Sequence, residues 1–201
     1  MDEISDRARK FGSVNTCVNR NGRLYGYNTD ADGFYRSLLH EGIAVKDRDV
    51  LIVGAGGATQ PIVILFAMEG AKSITILNRT EANALRLAEY AEKTVGYHVE
   101  TERKLLHYDV IINTTSVGMW PEVDGCPLAD FSFVDEKTAA ADMIYNPEET
   151  VFLRKAKERG AKTVNGLGML IFQGIIAYEL FTDTKLPEGI YEEIAKEVFG
   201  K

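Results

Sequence analysis

The sequence of 201 residues has only two cysteines, three histidines and one tryptophan. Cys17 and Cys126 lie far apart, and neither belongs to a C-x-x-C or cysteine–histidine ligand pattern. This scarcity excludes a disulfide framework and offers no metal-binding motif, so we expect reduced thiols, no bound metal and a cytoplasmic location. The histidines, Met119 and Trp120 have no partner pattern and are interpreted as packing or surface residues.

Long hydrophobic runs are also missing. The longest run, from Ile62 to Met68, is far shorter than the roughly 20 apolar residues that a membrane-spanning helix needs. The net charge of −7 disfavours nucleic acid and anionic membrane as partners, because both would repel an acidic surface. The apolar fraction of 45% is that of an ordinary globular protein. We therefore expect no nucleic acid or membrane partner, without excluding a local basic site for a small anion.

What is present is an alternation of apolar strands and helices. Residues 46–165 read as strands that are apolar throughout, including a weak strand at 97–100, separated by helices of about ten residues. This pattern predicts an α/β domain with a doubly wound parallel sheet. Residues 1–45 hold a charged helical segment, a hairpin at Asn21-Gly22 and a helix that starts near Asp30. Residues 166–201 hold two helices, and we expect these two flanking parts to belong to a second, incomplete domain.

The strand at 50–53 runs directly into Gly54-Ala55-Gly56-Gly57, and a helix follows. Glycines at this point let the backbone turn tightly and approach a pyrophosphate, whose charge is met by free N–H groups at the helix start. The sixth position of the motif is Thr59 rather than glycine or alanine. The order of strand, loop and helix favours nucleotide binding. The alternative is a glycine-rich turn in an α/β protein that binds no nucleotide.

The next strand ends in Asn78, followed by Arg79 and Thr80. NAD-binding units carry an acidic residue at this point, which bonds the ribose hydroxyls and would repel a 2′-phosphate. A guanidinium instead offers a 2′-phosphate paired, charge-assisted hydrogen bonds. The sequence therefore favours NADP over NAD. The alternative is a surface arginine beside Thr80 as a helix N-cap.

Two further segments are ambiguous when taken alone. Small polar residues, Thr114 to Ser116, follow the strand at 109–112, at the end of a parallel strand where ligands bind, but a plain turn would have the same composition. Asp30 by itself is best interpreted as the N-cap of the helix that begins near Ala31. Gln173 would ordinarily be a polar residue on a helix whose other face is core.

Together these segments resemble the shikimate dehydrogenase family. The motifs that carry the resemblance are SVNT at 13–16, GYNTDADGF at 26–34, GAGGA at 54–58, NRT at 78–80, NTTSVGM at 113–119, DMIYNPEET at 142–150 and GLGMLIFQ at 166–173. They occur in the order of the family and cover nearly the whole chain, which makes the set much more specific than any single motif. The resemblance implies a Rossmann-type domain at 46–165, a remnant of the substrate domain at 1–45, and helices at 166–201 that return to the substrate domain.

The resemblance also implies a reaction, the NADP-dependent and reversible reduction of 3-dehydroshikimate to shikimate. Asp30 would be the acid–base residue, and substrate hydroxyls would be bound by Asn15, Asp30 and Gln173. Tyr145 would also contact the substrate, from a position between it and the nicotinamide. The implied cofactor-binding residues are Gly54, Ala55, Gly56, Gly57, Ala58, Asn78, Arg79, Thr80, Thr114, Ser116, Met143 and Gly166. Family members pair the catalytic aspartate with a lysine that gives the proton to the developing alkoxide.

The sequence departs from the family in two respects. The amino-terminal part of the family, about 70 residues judged from the motif positions, has no counterpart here, and it carries the catalytic lysine. We therefore expect a truncated chain with little activity, and an exposed apolar face through which it forms a homodimer. Asn83 stands where many NADP-using relatives have a second basic residue. Two alternatives remain: a non-catalytic NADP-binding paralogue, and a quinate/shikimate dehydrogenase that uses NAD.

Overall fold

A computed structural model describes residues 1–104 and 106–200 of the chain. Its front part is a small three-stranded sheet with two helices. The elements are β1 (Glu3–Ile4), α1 (Asp6–Phe11), β2 (Thr16–Arg20), β3 (Arg23–Tyr27) and α2 (Asp30–His40), with the strands in the order β1-β3-β2. β2 and β3 form the hairpin predicted at Asn21-Gly22, whose φ angles of 53° and 85° are the positive values that such a turn requires. β1 was not predicted, because two residues carry no readable period.

The middle of the chain forms a five-stranded sheet in the order β5-β4-β6-β7-β8, and every pair of neighbouring strands is parallel. Its elements are β4 (Asp49–Val53), α3 (Thr59–Met68), β5 (Ser73–Leu77), α4 (Glu81–Val95), β6 (Val110–Asn113), β7 (Ala139–Asp142), α5 (Val151–Glu158) and β8 (Lys162–Val164). The prediction of a parallel α/β sheet is therefore confirmed.

Strand β4 explains why its sequence is apolar throughout. Val50 and Ile52 pack into one buried cluster with α3 and α2, whereas Leu51 and Val53 pack into a second cluster that contains α5. Successive side chains of a strand point to opposite faces, so a strand covered on both faces must be apolar at every position. Hydrophobic burial on both faces thus fixes this sheet at the centre of the fold.

The end of the chain returns to the front part. Helix α6 (Leu167–Thr182) packs closely against α2: a Cβ atom added at Gly33 would lie 2.6 Å from the Gln173 backbone nitrogen. Helix α7 (Ile190–Phe199) is held by a stacked pair, Phe172 and Tyr191, whose ring centroids are 4.5 Å apart. Within the described residues, no helix has the length and apolar character needed to span a membrane.

Three local predictions need correction. Residues 97–100 do not form a strand; Glu100 makes an isolated parallel bridge to Thr75, because only one residue there reaches the edge of β5. Asp30 is not the N-cap of α2 but its first helical residue, and Thr29 occupies the N-cap position. Thr80 does occupy the N-cap position of α4, but its side chain makes no capping hydrogen bond.

Candidate functional site

The order of the strands fixes where a ligand can bind. The chain runs from β4 outward to β5 and then returns to β6 on the other side of β4, so the direction of winding reverses between β4 and β6. Open parallel sheets bind ligands outside the carboxyl ends of the strands at such a switch point. Two cavities lie at this edge, of about 640 and 330 Å³, and they share Thr115 and Ser116 in their linings. They form one cleft with a wide end beside β5 and a narrow end beside β7.

The loop after β4 lies at the mouth of this cleft. Gly54 has a φ of 121°, and a Cβ atom there would lie 2.5 Å from the Thr114 hydroxyl oxygen, so only glycine fits. Added Cβ atoms at Gly56 and Gly57 would meet nothing within 4 Å. Within the described residues, the backbone N–H groups of Gly57 and Ala58 have no protein acceptor. They precede α3, whose amino-terminal end attracts negative charge, so the loop fits a pyrophosphate.

Thr59, the departure from the glycine motif, has a structural reason. Its side chain is fully buried, and its hydroxyl accepts a hydrogen bond from the Gly56 backbone nitrogen at 3.1 Å. Thr114 donates to the Val53 carbonyl at 3.0 Å, so Thr59 is the donor in the 2.8 Å contact between the two hydroxyls. Thr59 therefore fastens the glycine loop to the strand end on the other side of the switch point.

The residues after β5 line the wide end of the cleft. Asn78 donates from its side-chain amide to the Thr80 carbonyl at 2.8 Å, which holds the turn into α4. Arg79 is exposed and lines the cleft, and no carboxylate of the described residues forms an ion pair with it. Glu81 lines the same cavity. The guanidinium of Arg79 is therefore available to an anionic ligand.

The narrow end of the cleft lies beyond β6 and β7. Thr114, Ser116, Met143 and Tyr145 line it, and Tyr145 is 51% exposed. Gly166 is buried beside it and donates from its backbone nitrogen to the Ile144 carbonyl at 2.9 Å.

Met119 and Trp120 also line this cavity. Met119 ends the motif NTTSVGM and Trp120 follows directly after it, but neither residue has a partner pattern that would indicate a role. Their exposed fractions are 46% and 65%, so both are surface residues, and the surface they form is the wall of the cleft.

Asp30 lies at the start of α2, half-buried. Burial raises the pKa of its carboxyl above the ordinary value, and the Asn15 side chain opposes part of this shift by favouring the charged form. Asn15 is held in place by Thr29, whose backbone nitrogen donates to the Asn15 side-chain oxygen at 2.8 Å. Within the described residues, no lysine forms an ion pair with Asp30.

Gln173 stands on α6 opposite Gly33, one turn along α2 from Asp30. Its side-chain nitrogen donates to the Leu170 carbonyl at 3.0 Å, a contact within its own helix. The structure thus brings Asn15, Asp30 and Gln173 to the packed pair of helices α2 and α6. Asp32, by contrast, turns to Arg7 at 2.8 Å and forms an ion pair. No group of three or more metal-ligating side chains occurs among the residues described.

Comparison with known proteins finds a matching family model and curated relatives that share one name. The family model for shikimate / quinate 5-dehydrogenase matches residues 38–119. A curated relative from Alkaliphilus oremlandii, named shikimate dehydrogenase (NADP(+)), is 43% identical over 93% of this chain and 68% of its own length. One from Geobacillus sp., with the same name, is 42% identical over 98% of this chain and 70% of its own length.

Solved structures agree. The shikimate 5-dehydrogenase of Thermus thermophilus, solved in complex with NADP(H) and shikimate, has a TM-score of 0.85 and 36% identity. The match covers 98% of this chain and 72% of that one.

Proposed function

The chain belongs to the shikimate dehydrogenase family, and from this premise we propose that it contributes the cofactor site and part of the substrate site of an enzyme that reversibly reduces 3-dehydroshikimate to shikimate with NADPH. One observation carries the proposal: the cleft at the switch point offers N–H groups after Gly56 and a guanidinium at Arg79 that have no partner among the described residues. We assign 46–165 to the cofactor domain, and 1–45 and 166–201 to the substrate domain.

The residues around the cleft fit NADP. The loop from Gly54 to Ala58 would hold the pyrophosphate, and Asn78, Arg79 and Thr80 would hold the 2′-phosphate. Thr114, Ser116, Met143 and Gly166 would surround the nicotinamide. When bound, the cofactor supplies the hydride for the ketone carbon, which is the difficult part of the chemistry. What remains for the protein is to orient the substrate and to handle one proton.

Asp30 is proposed to take part in that proton transfer. A carboxyl whose pKa is raised by burial is closer to the range in which it exchanges protons near neutral pH. Asn15, which Thr29 holds beside Asp30, would orient the substrate through a hydroxyl, and Gln173 and Tyr145 would bind further hydroxyls. These roles depend on side chains of both proposed domains, so the substrate would lie between them.

We expect the 201-residue polypeptide on its own to turn shikimate over slowly. A positioned general acid typically contributes a factor of about 10² to 10⁴, and no lysine of the described residues pairs with Asp30. Shikimate oxidation, followed by the absorbance of NADPH, should therefore be at least about a hundredfold slower than for the Alkaliphilus relative.

An Asp30→Asn variant is the control for that assay. It should bind NADP as the unmodified chain does, because Asp30 lies outside the loop and strand ends proposed for the cofactor. Turnover at the relative's rate by the unmodified chain would overturn the expectation of low activity. Absence of NADP binding would instead overturn the proposed cofactor site. It would count against both the enzyme and the non-catalytic paralogue, because both must bind NADP.

A quinate/shikimate dehydrogenase that uses NAD is the second candidate. It is favoured by the Glu81 carboxylate in the wall of the wide cavity, and by Asn83, which accepts a hydrogen bond from Arg86 and carries no positive charge itself. A second basic group at that position would have made the phosphate site stronger. Titrating NADP and NAD separately decides between the two candidates.

We also propose that the chain forms a homodimer through α6 and α7. A cavity of about 470 Å³ between these helices is lined almost entirely by apolar side chains, and two of them, Tyr178 and Val198, are more than half exposed. An apolar surface of this kind is stabilised when a second copy covers it. Light scattering should give a dimer mass for the unmodified chain and a monomer mass for Val198→Glu. A monomer mass for both would contradict the proposal.

A further inference from the structure

Asp142 is the one buried acidic residue in the part of the chain that the structure describes. It ends β7, and its exposed fraction is 0%. The Thr150 hydroxyl donates to one carboxylate oxygen at 2.7 Å, and the Ile144 backbone nitrogen donates to the other at 3.0 Å. The side-chain nitrogen of Asn113 donates to both oxygens, at 3.1 and 3.2 Å. Every partner is a donor.

This set of partners favours the ionised form of Asp142. An ionised carboxylate accepts from all of them, whereas a protonated carboxyl group would lose one of these hydrogen bonds or require the Thr150 hydroxyl to accept instead of donating. Burial raises the pKa of Asp142, and the hydrogen bonds from Thr150, Ile144 and Asn113 oppose that shift. Among the residues described, no lysine, arginine or histidine forms an ion pair with it. The negative charge is therefore held by neutral dipoles alone.

The network also joins the two loops at the narrow end of the cleft. Asn113 ends β6, and its side-chain oxygen accepts from the Thr115 backbone nitrogen at 2.9 Å and from the Thr115 hydroxyl at 2.7 Å. Thr115 and Ile144 both line the narrow cavity. Asp142 thus lies one hydrogen bond behind Ile144 and two behind Thr115, in a buried region where water screens its charge only in part.

We propose that Asp142 holds a negative charge behind the nicotinamide end of the cleft, and that this charge favours the oxidised cofactor over the reduced one. The inference rests on the proposed function, because it takes the cofactor to be NADP. The two forms carry the same phosphates and differ in the ring, which is positively charged when oxidised and neutral when reduced. A fixed negative charge attracts the first form and leaves the second unaffected, so Asp142 is a positioning residue with an electrostatic effect.

The test is the ratio of two dissociation constants, that of NADPH divided by that of NADP⁺, measured by calorimetry on the full chain. Asp142→Asn removes the charge and keeps the shape, so the ratio should fall about three- to tenfold, as expected for a unit charge at partial screening. A fivefold fall corresponds to about 20 mV in the potential of the bound two-electron couple. Asp142→Ala should change the ratio in the same direction. It is the variant to measure if Asp142→Asn does not fold because its amide NH₂ group faces other donors.

Thr150→Val is the matched control, because it removes one donor of the network while Ile144 and Asn113 still donate to the carboxylate. Thr150 also caps α5 through its hydroxyl, which accepts from the Leu153 backbone nitrogen at 3.3 Å, so this variant should melt at a lower temperature. Its ratio should equal that of the unmodified chain. An unchanged ratio in the neutral Asp142 variants, or an equal fall in Thr150→Val, would overturn the inference. Binding of neither form by the unmodified chain would instead overturn the proposed cofactor site.

Discussion

Replacing Arg79 with alanine should weaken NADP⁺ binding by about ten- to a hundredfold and leave NAD⁺ binding within about twofold. The two cofactors differ only by the 2′-phosphate, and Arg79 is the exposed guanidinium that lines the wide end of the cleft without an acidic partner among the described residues. Charge-assisted hydrogen bonds are the strong kind, so their loss should dominate the change. Calorimetric titration of each variant with each cofactor measures the effect.

Arg154→Ala is the control for this prediction. Arg154 is also an exposed arginine, but it lies on α5 and lines neither part of the cleft. It carries the same charge, so its removal corrects for any general attraction between the protein and a polyanion. Equal losses in Arg79→Ala and Arg154→Ala, or equal losses for NADP⁺ and NAD⁺ in Arg79→Ala, would contradict a specific contact with the 2′-phosphate.

Replacing Gly56 with alanine should weaken NADP⁺ binding at least about tenfold without lowering the melting temperature. A Cβ atom at this position would meet no protein atom within 4 Å, and its φ does not require glycine. The folded protein therefore has room for the methyl group. A bound pyrophosphate would clash with the methyl group, because the second glycine of this motif leaves open the space that the phosphate fills.

Gly174→Ala provides the matched control. Gly174 lies inside α6, and a Cβ atom there also meets nothing within 4 Å, so the two variants add the same group to an open position. Alanine should stabilise the helix slightly and leave cofactor binding unchanged. If Gly56→Ala bound NADP⁺ as tightly as Gly174→Ala, the glycine loop would not be the phosphate site.

The sequence was sufficient for those parts of the structure that depend on local pattern. The residues of β4 are apolar at every position because they pack on both faces of the sheet, and this pattern can be read directly. The hairpin at Asn21-Gly22 follows from two residues that tolerate positive φ. The strand ends that lie at the cleft, after β4, β5 and β6, were identified for the same reason, because parallel strands place their carboxyl ends at one edge.

Other parts depend on contacts between distant segments. Asp142 and Asn113 both lie in motifs that the sequence shows. Their contact, however, depends on how β6 and β7 are aligned in the sheet, which places Asn113 directly beside Asp142. Thr59 departs from the glycine motif, and its reason, the hydrogen bond to Thr114, joins residues 55 positions apart in the sequence. The sequence alone places the N-cap of α2 at Asp30, one residue too late. Thr29 takes the N-cap position in the structure, and it is held there by hydrogen bonds to Asn15, a residue from a separate segment that the local pattern does not reveal.

The most direct test of the cofactor site is a calorimetric titration of the unmodified 201-residue chain with NADP⁺ and, separately, with NAD⁺. We expect one NADP⁺ per chain, with a dissociation constant within or below the range of about 1 μM to 1 mM that is typical of Michaelis constants. NAD⁺ should bind at least about tenfold more weakly, because it lacks the phosphate that Arg79 would hold. No detectable NADP⁺ binding, or tighter binding of NAD⁺, would contradict the account.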